Sequence, residues 1–212
     1  MTIEKEPTEP IGIDLGVKDL AVISTGEVIK NINRGKGVKG LNKKLIRLQR
    51  RASRHYEEMK KQNKGGGTRY IKSNNLLKLE KEIRKTHKRL HNIRINHVHQ
   101  ATSKLVKAKP EYIVLEDLNV SGMMKNKHLS KAIAEQKLHE FKRQIEYKCD
   151  WYGVKLILAD RFYPSSKTCS QCGTIKKELK LSDRKFVCEC GFEADRDYNA
   201  SVNLRNYGKS VS

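Results

Sequence analysis

Apolar residues recur at two different spacings along this chain, and the changes of spacing mark its elements. Three short stretches, Ile11-Gly-Ile-Asp-Leu-Gly16, Leu20-Ala-Val-Ile-Ser24 and Glu27-Val-Ile-Lys30, are separated by turns with Gly or Asp, which predicts three strands in an antiparallel meander. From Leu41 to Met59 the apolar positions Leu41, Leu45 and Leu48 stand at helical spacing among Lys and Arg, until Gly65-Gly66-Gly67 breaks the pattern. A second helix is predicted from about Asn75 to Lys107, with Leu76, Leu79, Ile83, Leu90 and Ile93 as its stripe. The two segments read as an antiparallel helical hairpin with basic outer faces. Past Pro110, Tyr112-Ile-Val-Leu115 has the form of a buried strand that delivers Glu116 and Asp117 at its tip. A loop with Asn119, Gly122 and two Met follows. Ser130 to Tyr152 predicts one helix with Ile133, Leu138, Phe141, Ile145 and Trp151 inward, and Lys155-Leu-Ile-Leu158 another strand. The last predicted element is a short helix from Asp197 to about Asn206 that carries Ala200, Val202 and Leu204. This order of strands and helices places the chain in the α/β class.

A chain of 212 residues holds one domain of ordinary size plus a small appendage, and it shows no internal repeat. No run approaches the roughly eighteen apolar residues of a bilayer span, and the opening TIEKEPTEP has no hydrophobic signal core. The expectation is a soluble cytoplasmic protein with no membrane partner. Lys and Arg number 45 against 24 acids, a formal net charge of +21. Residues 34 to 108 alone hold 23 Lys or Arg against four Glu, so one segment carries nearly all the excess. A solvated helical face would be served by balanced charges, whereas one sign of charge suits a polyanion, with nucleic acid first.

Cys169-Ser-Gln-Cys172-Gly and Cys188-Glu-Cys190-Gly are two close pairs separated by fifteen residues, the spacing of a four-thiolate zinc ribbon. Disulfides are the alternative, and a charge-rich cytosolic chain disfavours them. The second pair has one residue between its cysteines instead of two. Four thiolates leave no coordination position for water, so one Zn²⁺ here would have a structural part. The fifth cysteine, Cys149, lies in a predicted helix and reads as a small packing residue.

Asp14 lies between Gly12 and Gly16, which share its side of a strand and leave that side uncluttered, with room for a metal ion or a phosphate backbone. Glu116 follows a fully apolar run, and Asp197 stands just past the cysteines. Three separated acids could converge on Mg²⁺, which prefers oxygen ligands, and two divalent ions about 4 Å apart suit phosphodiester hydrolysis. Ion pairing or helix capping is the alternative, above all for Asp195 and Asp197 at a helix start.

The motifs Gly12-Ile-Asp14-Leu-Gly16-Val-Lys, Val114-Leu-Glu116-Asp-Leu-Asn-Val, Phe141-Lys-Arg-Gln-Ile-Glu-Tyr147, Ser165-Ser-Lys-Thr-Cys-Ser-Gln-Cys172 and Asp195-Arg-Asp197-Tyr-Asn199-Ala resemble, in order, those of the TnpB proteins of insertion sequences. These are relatives of the type V CRISPR effector nucleases. The resemblance implies an RNase H-like (RuvC) mixed sheet with an inserted helical hairpin and a C-terminal zinc ribbon. Its implied division is residues 1–165 for the first part of the nuclease core, with a basic hairpin at about 38–108, 166–194 for the ribbon and 195–212 for the last RuvC motif. It also implies Asp14, Glu116 and Asp197 as ligands of two Mg²⁺ or Mn²⁺ ions, with Cys169, Cys172, Cys188 and Cys190 on zinc. Arg184 resembles a ribbon arginine that approaches the cleaved phosphate, while Asp117 and Asp195 are implied to have structural duties. The implied activity is a DNA endonuclease directed by a guide RNA, associated with a prokaryotic nucleoid. Family members carry an N-terminal recognition half before the first of these motifs, so the chain reads as an isolated nuclease domain, a natural truncation, or one piece of a split protein whose recognition half is a separate partner. Two further readings share the same motifs: a catalytically silent nucleic-acid-binding fragment, and a guide-independent nuclease selective for nucleic-acid shape. Lys137-Leu138 stands where relatives often carry Gly-Trp.

Overall fold

A computed structural model of the chain describes residues 8–62, 72–176, 178–179 and 183–211. The Gly65-Gly66-Gly67 break and residues 2–7 of the polar opening lie outside the described residues. The chain divides into two compact units, one of residues 1–31 with 97–212 and one of residues 32–96.

In the first unit, Ile11–Leu15 (β1), Ala21–Ile23 (β2), Val28–Ile29 (β3), Tyr112–Glu116 (β4) and Lys155–Ala159 (β5) form a five-stranded sheet of order β3-β2-β1-β4-β5. The meander is present, with β2 antiparallel to both β1 and β3. On the other side of β1, β4 and then β5 run parallel. Parallel strands need crossovers, and the long helical segments between them supply these.

Strand alternation decides what covers each face. Ile11, Ile13 and Leu15 of β1 join Ile113 and Leu115 of β4 in the main core. Over them pack Val98, Ala101, Leu105 and Val106 from the last turns of the helix Asn74–Lys107 (α2). The same core takes Leu138, Phe141, Ile145 and Cys149 from the helix Leu138–Tyr152 (α5). Each large side chain so buried contributes about 1.5–3 kcal/mol. Cys149 is a packing residue with 1% exposure, and burial pushes its thiol up to about 12.

Two expectations about this helical layer need correction. Ser130 to Tyr152 is two helices, Ser130–Gln136 (α4) and α5, broken at Lys137, whose φ of 60° and ψ of 38° are left-handed. Ile133 and Leu138 are both buried to 1%, yet on one straight helix they would point about 140° apart. The break turns both to the core, and Gln136 anchors it by donating to the carbonyls of Gly16 (3.1 Å) and Val17 (3.2 Å). Trp151 faces outward, 76% exposed, with its ring edge-on to Tyr147 at 4.7 Å. It stands two residues past Cys149, about 200° round the helix from the buried face. The left-handed Gly153 closes α5, and Val154 donates to the Cys149 carbonyl at 2.9 Å. The expected loop at Asn119 contains one helical turn, Val120–Met123 (α3), capped by Asn119 Oδ1 accepting from the Gly122 N–H at 2.9 Å.

The opposite face of the sheet is covered by Arg196–Val211 (α6), longer at its far end than the sequence pattern indicates. Gly12 is the point of closest approach, since a Cβ there would sit 2.1 Å from the Ser201 carbonyl oxygen and 2.3 Å from the Arg205 nitrogen. The space beside Gly12 is therefore filled by a helix backbone, not left open for ligand as the strand pattern alone suggested. Leu204 packs with Tyr112, Val114 and Ala159, flanked by Ile157, Tyr163 and Tyr207. Before α6, Lys185–Val187 (β6) and Glu193–Asp195 (β7) make a two-stranded antiparallel ribbon.

The second unit is the hairpin. A single 3-10 turn, Ile32–Arg34, leads into Lys36–Gln62 (α1), which pairs with the first part of α2. Val38, Leu45 and Leu90 form its core, with Ile32, Leu41, Ile83 and Ile93 packed alongside. The arrangement is antiparallel: Lys44 meets Glu82 at 3.6 Å, and farther along α1 the Tyr56 hydroxyl donates to Glu80. No helix among the described residues is long and apolar enough to cross a membrane.

Candidate active site and metal centre

The three acids singled out in the sequence come from three elements that meet at one end of the sheet. Gly12 pairs with Val114 across β1 and β4, so Asp14 and Glu116, two residues on along each strand, share a side of the sheet. That side is the one α6 covers. Along α6, Gly208 abuts Tyr112 and Val114 near the start of β4, while Ser201 and Arg205 abut Gly12. The helix therefore runs against the direction of β1 and β4, and its N-terminus, with Asp197, points to the strand ends that carry Asp14 and Glu116.

Electrostatics records the meeting. Burial raises the Asp14 pKa well above the ordinary carboxylate value, and the charges of Glu116 and then Asp197 push it further up. Arg196 acts in the opposite sense. Burial also raises Glu116, partly offset by a hydrogen bond that its Oε1 accepts from the Ser165 hydroxyl. Asp197 Oδ1 accepts from Arg196 at 3.3 Å. Carboxylates gathered where they repel one another, with oxygen donors only, form the kind of site a divalent cation fits.

The neighbouring acids have other partners. Asp117 bonds Lys142 at 2.8 Å and Arg161 at 2.7 Å, and these bonds, Lys142 first, hold its carboxyl below the usual range. Asp195 caps α6, its Oδ1 accepting from the N–H groups of Asp197 (3.0 Å) and Tyr198 (3.3 Å). A cavity of about 580 Å³ beside Glu116 is lined by His139, Lys142, Arg143 and Arg161 among others. Arg184 is exposed, and its carbonyl accepts from the Arg196 N–H at 2.8 Å, which puts its backbone one residue from Asp197.

Cys169, Cys172, Cys188 and Cys190 converge, their sulfurs all within 4.8 Å of one another. The contacts are 3.7 Å for Cys169 with Cys190 and 3.6 Å for Cys172 with Cys188. Sulfurs at about 2.3 Å from a tetrahedral ion stand about 3.8 Å apart, so the quartet could hold a metal such as zinc, the shortened second knuckle included. Among the described residues this is the group of three or more His, Cys, Asp or Glu side chains gathered so tightly. The acidic trio is looser.

Two residues that the sequence did not flag belong to this neighbourhood. Arg196 reaches Asp197 from the adjacent position, and Ser165 reaches Glu116 from 49 residues away. Ser165 stands in a motif already singled out, but nothing local ties its hydroxyl to a strand so distant in sequence.

Comparison with known proteins agrees with these motifs. The OrfB_IS605 family model, described as "Probable transposase", matches residues 2–127, and a model described as "Cas12f1-like, TNB domain" matches residues 139–204. A protein of Streptomyces pristinaespiralis, named as a candidate RNA-guided DNA endonuclease, is 34% identical over 97% of this chain and 46% of its own length. An Escherichia coli K12 protein with a name of the same kind is 32% identical over 95% of this chain and 49% of its own length. The chain thus spans just under half the length of these curated relatives. Among solved structures, a Cas12f1 complex with single guide RNA and target DNA superposes with a TM-score of 0.61 at 20% identity, covering 95% of this chain and 50% of that one. The mixed α/β fold is therefore Cas12f-like.

Proposed function

The chain belongs to the TnpB family, the OrfB_IS605 group of insertion-sequence proteins, and from that premise we propose that it is the catalytic portion of a divalent-metal-dependent DNA endonuclease. The observation that carries this reading is the meeting of Asp14, Glu116 and Asp197 at one end of the sheet, where Asp14 feels the charge of the other two. In this reading the sheet with α6 and the helices on its other face is an RNase H-like (RuvC) core over residues 1–165 and 195–212. Residues 166–194 are a zinc ribbon, its four thiolates on one structural Zn²⁺.

The three carboxylates would hold two Mg²⁺ or Mn²⁺ ions, which when bound supply Lewis acidity for phosphodiester hydrolysis. The protein's own part is to bind and aim. Asp195 fixes the first turn of α6 and so the backbone of Asp197. Asp117 takes up Lys142 and Arg161, which leaves the Glu116 charge for a cation. Arg184, exposed at the acid end of the ribbon, is suited to meet a phosphate oxygen. The hairpin's surplus of Lys and Arg supplies sequence-independent affinity for a nucleic-acid backbone. Target DNA and a guide RNA are the partners, by analogy with the names and complexes of the relatives, and the relatives' additional length would come from a recognition half. A cytoplasmic, nucleoid-associated location goes with that substrate.

Incubating the purified chain with single-stranded DNA, duplex DNA and RNA, with Mg²⁺ or EDTA, tests the proposal. Cleavage should require the metal and vanish in Asp14→Ala, Glu116→Ala and Asp197→Ala. Cleavage that survives all three substitutions refutes the assignment of the site.

A further inference from the structure

Glu116 is held by a side chain that the reading above gives no part. The Ser165 hydroxyl donates to Glu116 Oε1, and Ser165 is itself buried to 4%. Its segment is fastened to α6 by two buried amides. Asn203 Nδ2 donates to the carbonyls of Ser165 at 2.7 Å and Thr168 at 2.6 Å, and Asn199 Nδ2 donates to Thr168 at 2.7 Å. Asn199 Oδ1 in turn accepts from the Ser170 N–H at 3.0 Å. Residues 165–170, which include Cys169, are thus fixed to the same helix that carries Asp197.

We propose that Ser165 is a positioning residue that fixes the Glu116 carboxylate for divalent-ion binding; this rests on the reading of Glu116 as a metal ligand. A free glutamate has three side-chain torsions, and cations stand close by, since the adjoining cavity is lined by Lys142, Arg143 and Arg161. Asp117 and Glu140 hold these three cations, and a glutamate free to turn toward them would compete for the same charges and lose the one a divalent ion needs. A hydroxyl can hold one carboxylate oxygen without supplying a charge, and so leaves Oε2 and the net negative charge available. Because Asn203 bonds the Ser165 carbonyl, the aim of Glu116 is set by the helix that brings Asp197, and two acids distant in sequence are placed by one element.

The test is Mn²⁺ titration of the full 212-residue chain with its cysteine quartet loaded, free Mn²⁺ being read by electron paramagnetic resonance. Ser165→Ala should weaken Mn²⁺ binding by on the order of ten-fold, the loss expected for one hydrogen bond to a charged group. Ser165→Thr, which keeps the hydroxyl, should retain the affinity of the unsubstituted chain. If the alanine variant fails to fold, Ser165→Cys decides, since it keeps the volume with a weaker donor and should also bind less tightly. Unchanged Mn²⁺ affinity in the folded alanine or cysteine variant overturns the proposal. Weakened Mn²⁺ binding in a chain that cleaves no nucleic acid supports the positioning role while the nuclease reading falls. Mn²⁺ affinity untouched by Asp14→Ala and Glu116→Ala overturns both.

Discussion

Replacing Gly12 by alanine is the sharpest perturbation the fold offers, because it adds one methyl group at a backbone-to-backbone contact. The new Cβ would stand 2.1 Å from the Ser201 carbonyl oxygen, whereas ordinary contact begins at 3.4 Å, so α6 must retreat by about 1.3 Å. Neither partner can rotate away, since both are main-chain atoms in regular elements. A gap of 0.5–1 Å already removes a quarter to a half of the dispersion attraction across an interface, and overpacking of this kind costs roughly 1–3 kcal/mol. Because the retreat loosens Leu204 from Tyr112 and Val114 as well, the upper end applies, about 3 kcal/mol out of a typical domain stability of roughly 5–15 kcal/mol. Asp197 lies one turn from Ser201 and moves with it, and a misplacement on the order of 1 Å lowers a rate about a hundred-fold. Urea unfolding followed by circular dichroism measures the first effect, and metal-dependent cleavage at a temperature where the variant stays folded measures the second. Gly40→Ala is the control: it lies inside α1 with nothing within 4 Å of its would-be Cβ, and it should stabilise by up to about 1 kcal/mol. A Gly12→Ala chain with the unfolding midpoint of the unsubstituted protein would show that α6 does not lie on β1, and the assembly of the acids would lose its basis.

Three further outcomes follow from other places in the structure. Lys137 sits in a left-handed conformation that strains an L-residue by about 1–2 kcal/mol; Lys137→Gly relieves this at an entropic cost of about 0.5–1 kcal/mol, for a net rise in stability of about 0.5–1 kcal/mol by urea titration. No gain would mean that the α4–α5 break takes another form. Hydrogen bonds from Arg143 hold the Glu140 pKa down at about 2 from an ordinary 4.5, so this carboxylate's stabilising contribution is complete above about pH 4.5 and is lost as pH falls towards 2. Glu140→Gln should flatten the midpoint-against-pH curve in that window, and an unaltered slope counts against the pair. Removing metal from the cysteine quartet with a strong chelator, or substituting Cys169→Ser, should abolish one equivalent of bound zinc in native mass spectrometry and lower the melting temperature, an effect that zinc should reverse only in the unsubstituted chain.

The acids and cysteines that the structure gathers were legible in the sequence because strong local patterns single them out. Glu116 closes an apolar run, Asp14 stands in a strand of alternating Ile and Gly, and the cysteines occur in close pairs. Fold class, the meander and both long helices followed from period alone. What period could not reveal is which element fills a gap: Gly12 reads as empty space until α6, almost two hundred residues later, is laid against it. The extra length of α6 lies past Asn206, where Gly208 reads as a helix stop, although in the structure it packs closely on Tyr112 and Val114. The break at Lys137 has no Gly or Pro to announce it, and it exists because Ile133 and Leu138 must face the same core. Trp151 reads as inward on the predicted helix, while its angle on α5 places it outside.

The order in which these parts leave the ribosome gives the late position of α6 a temporal meaning. Strands β1 and β4, with their acids, emerge well before the helix that brings the third carboxylate and fastens Ser165. A nascent polypeptide that stalls short of residue 196 therefore has an incomplete acidic trio and an uncovered sheet face. On the proposed reading, metal-dependent cleavage would have to wait until that helix had formed and closed over the sheet.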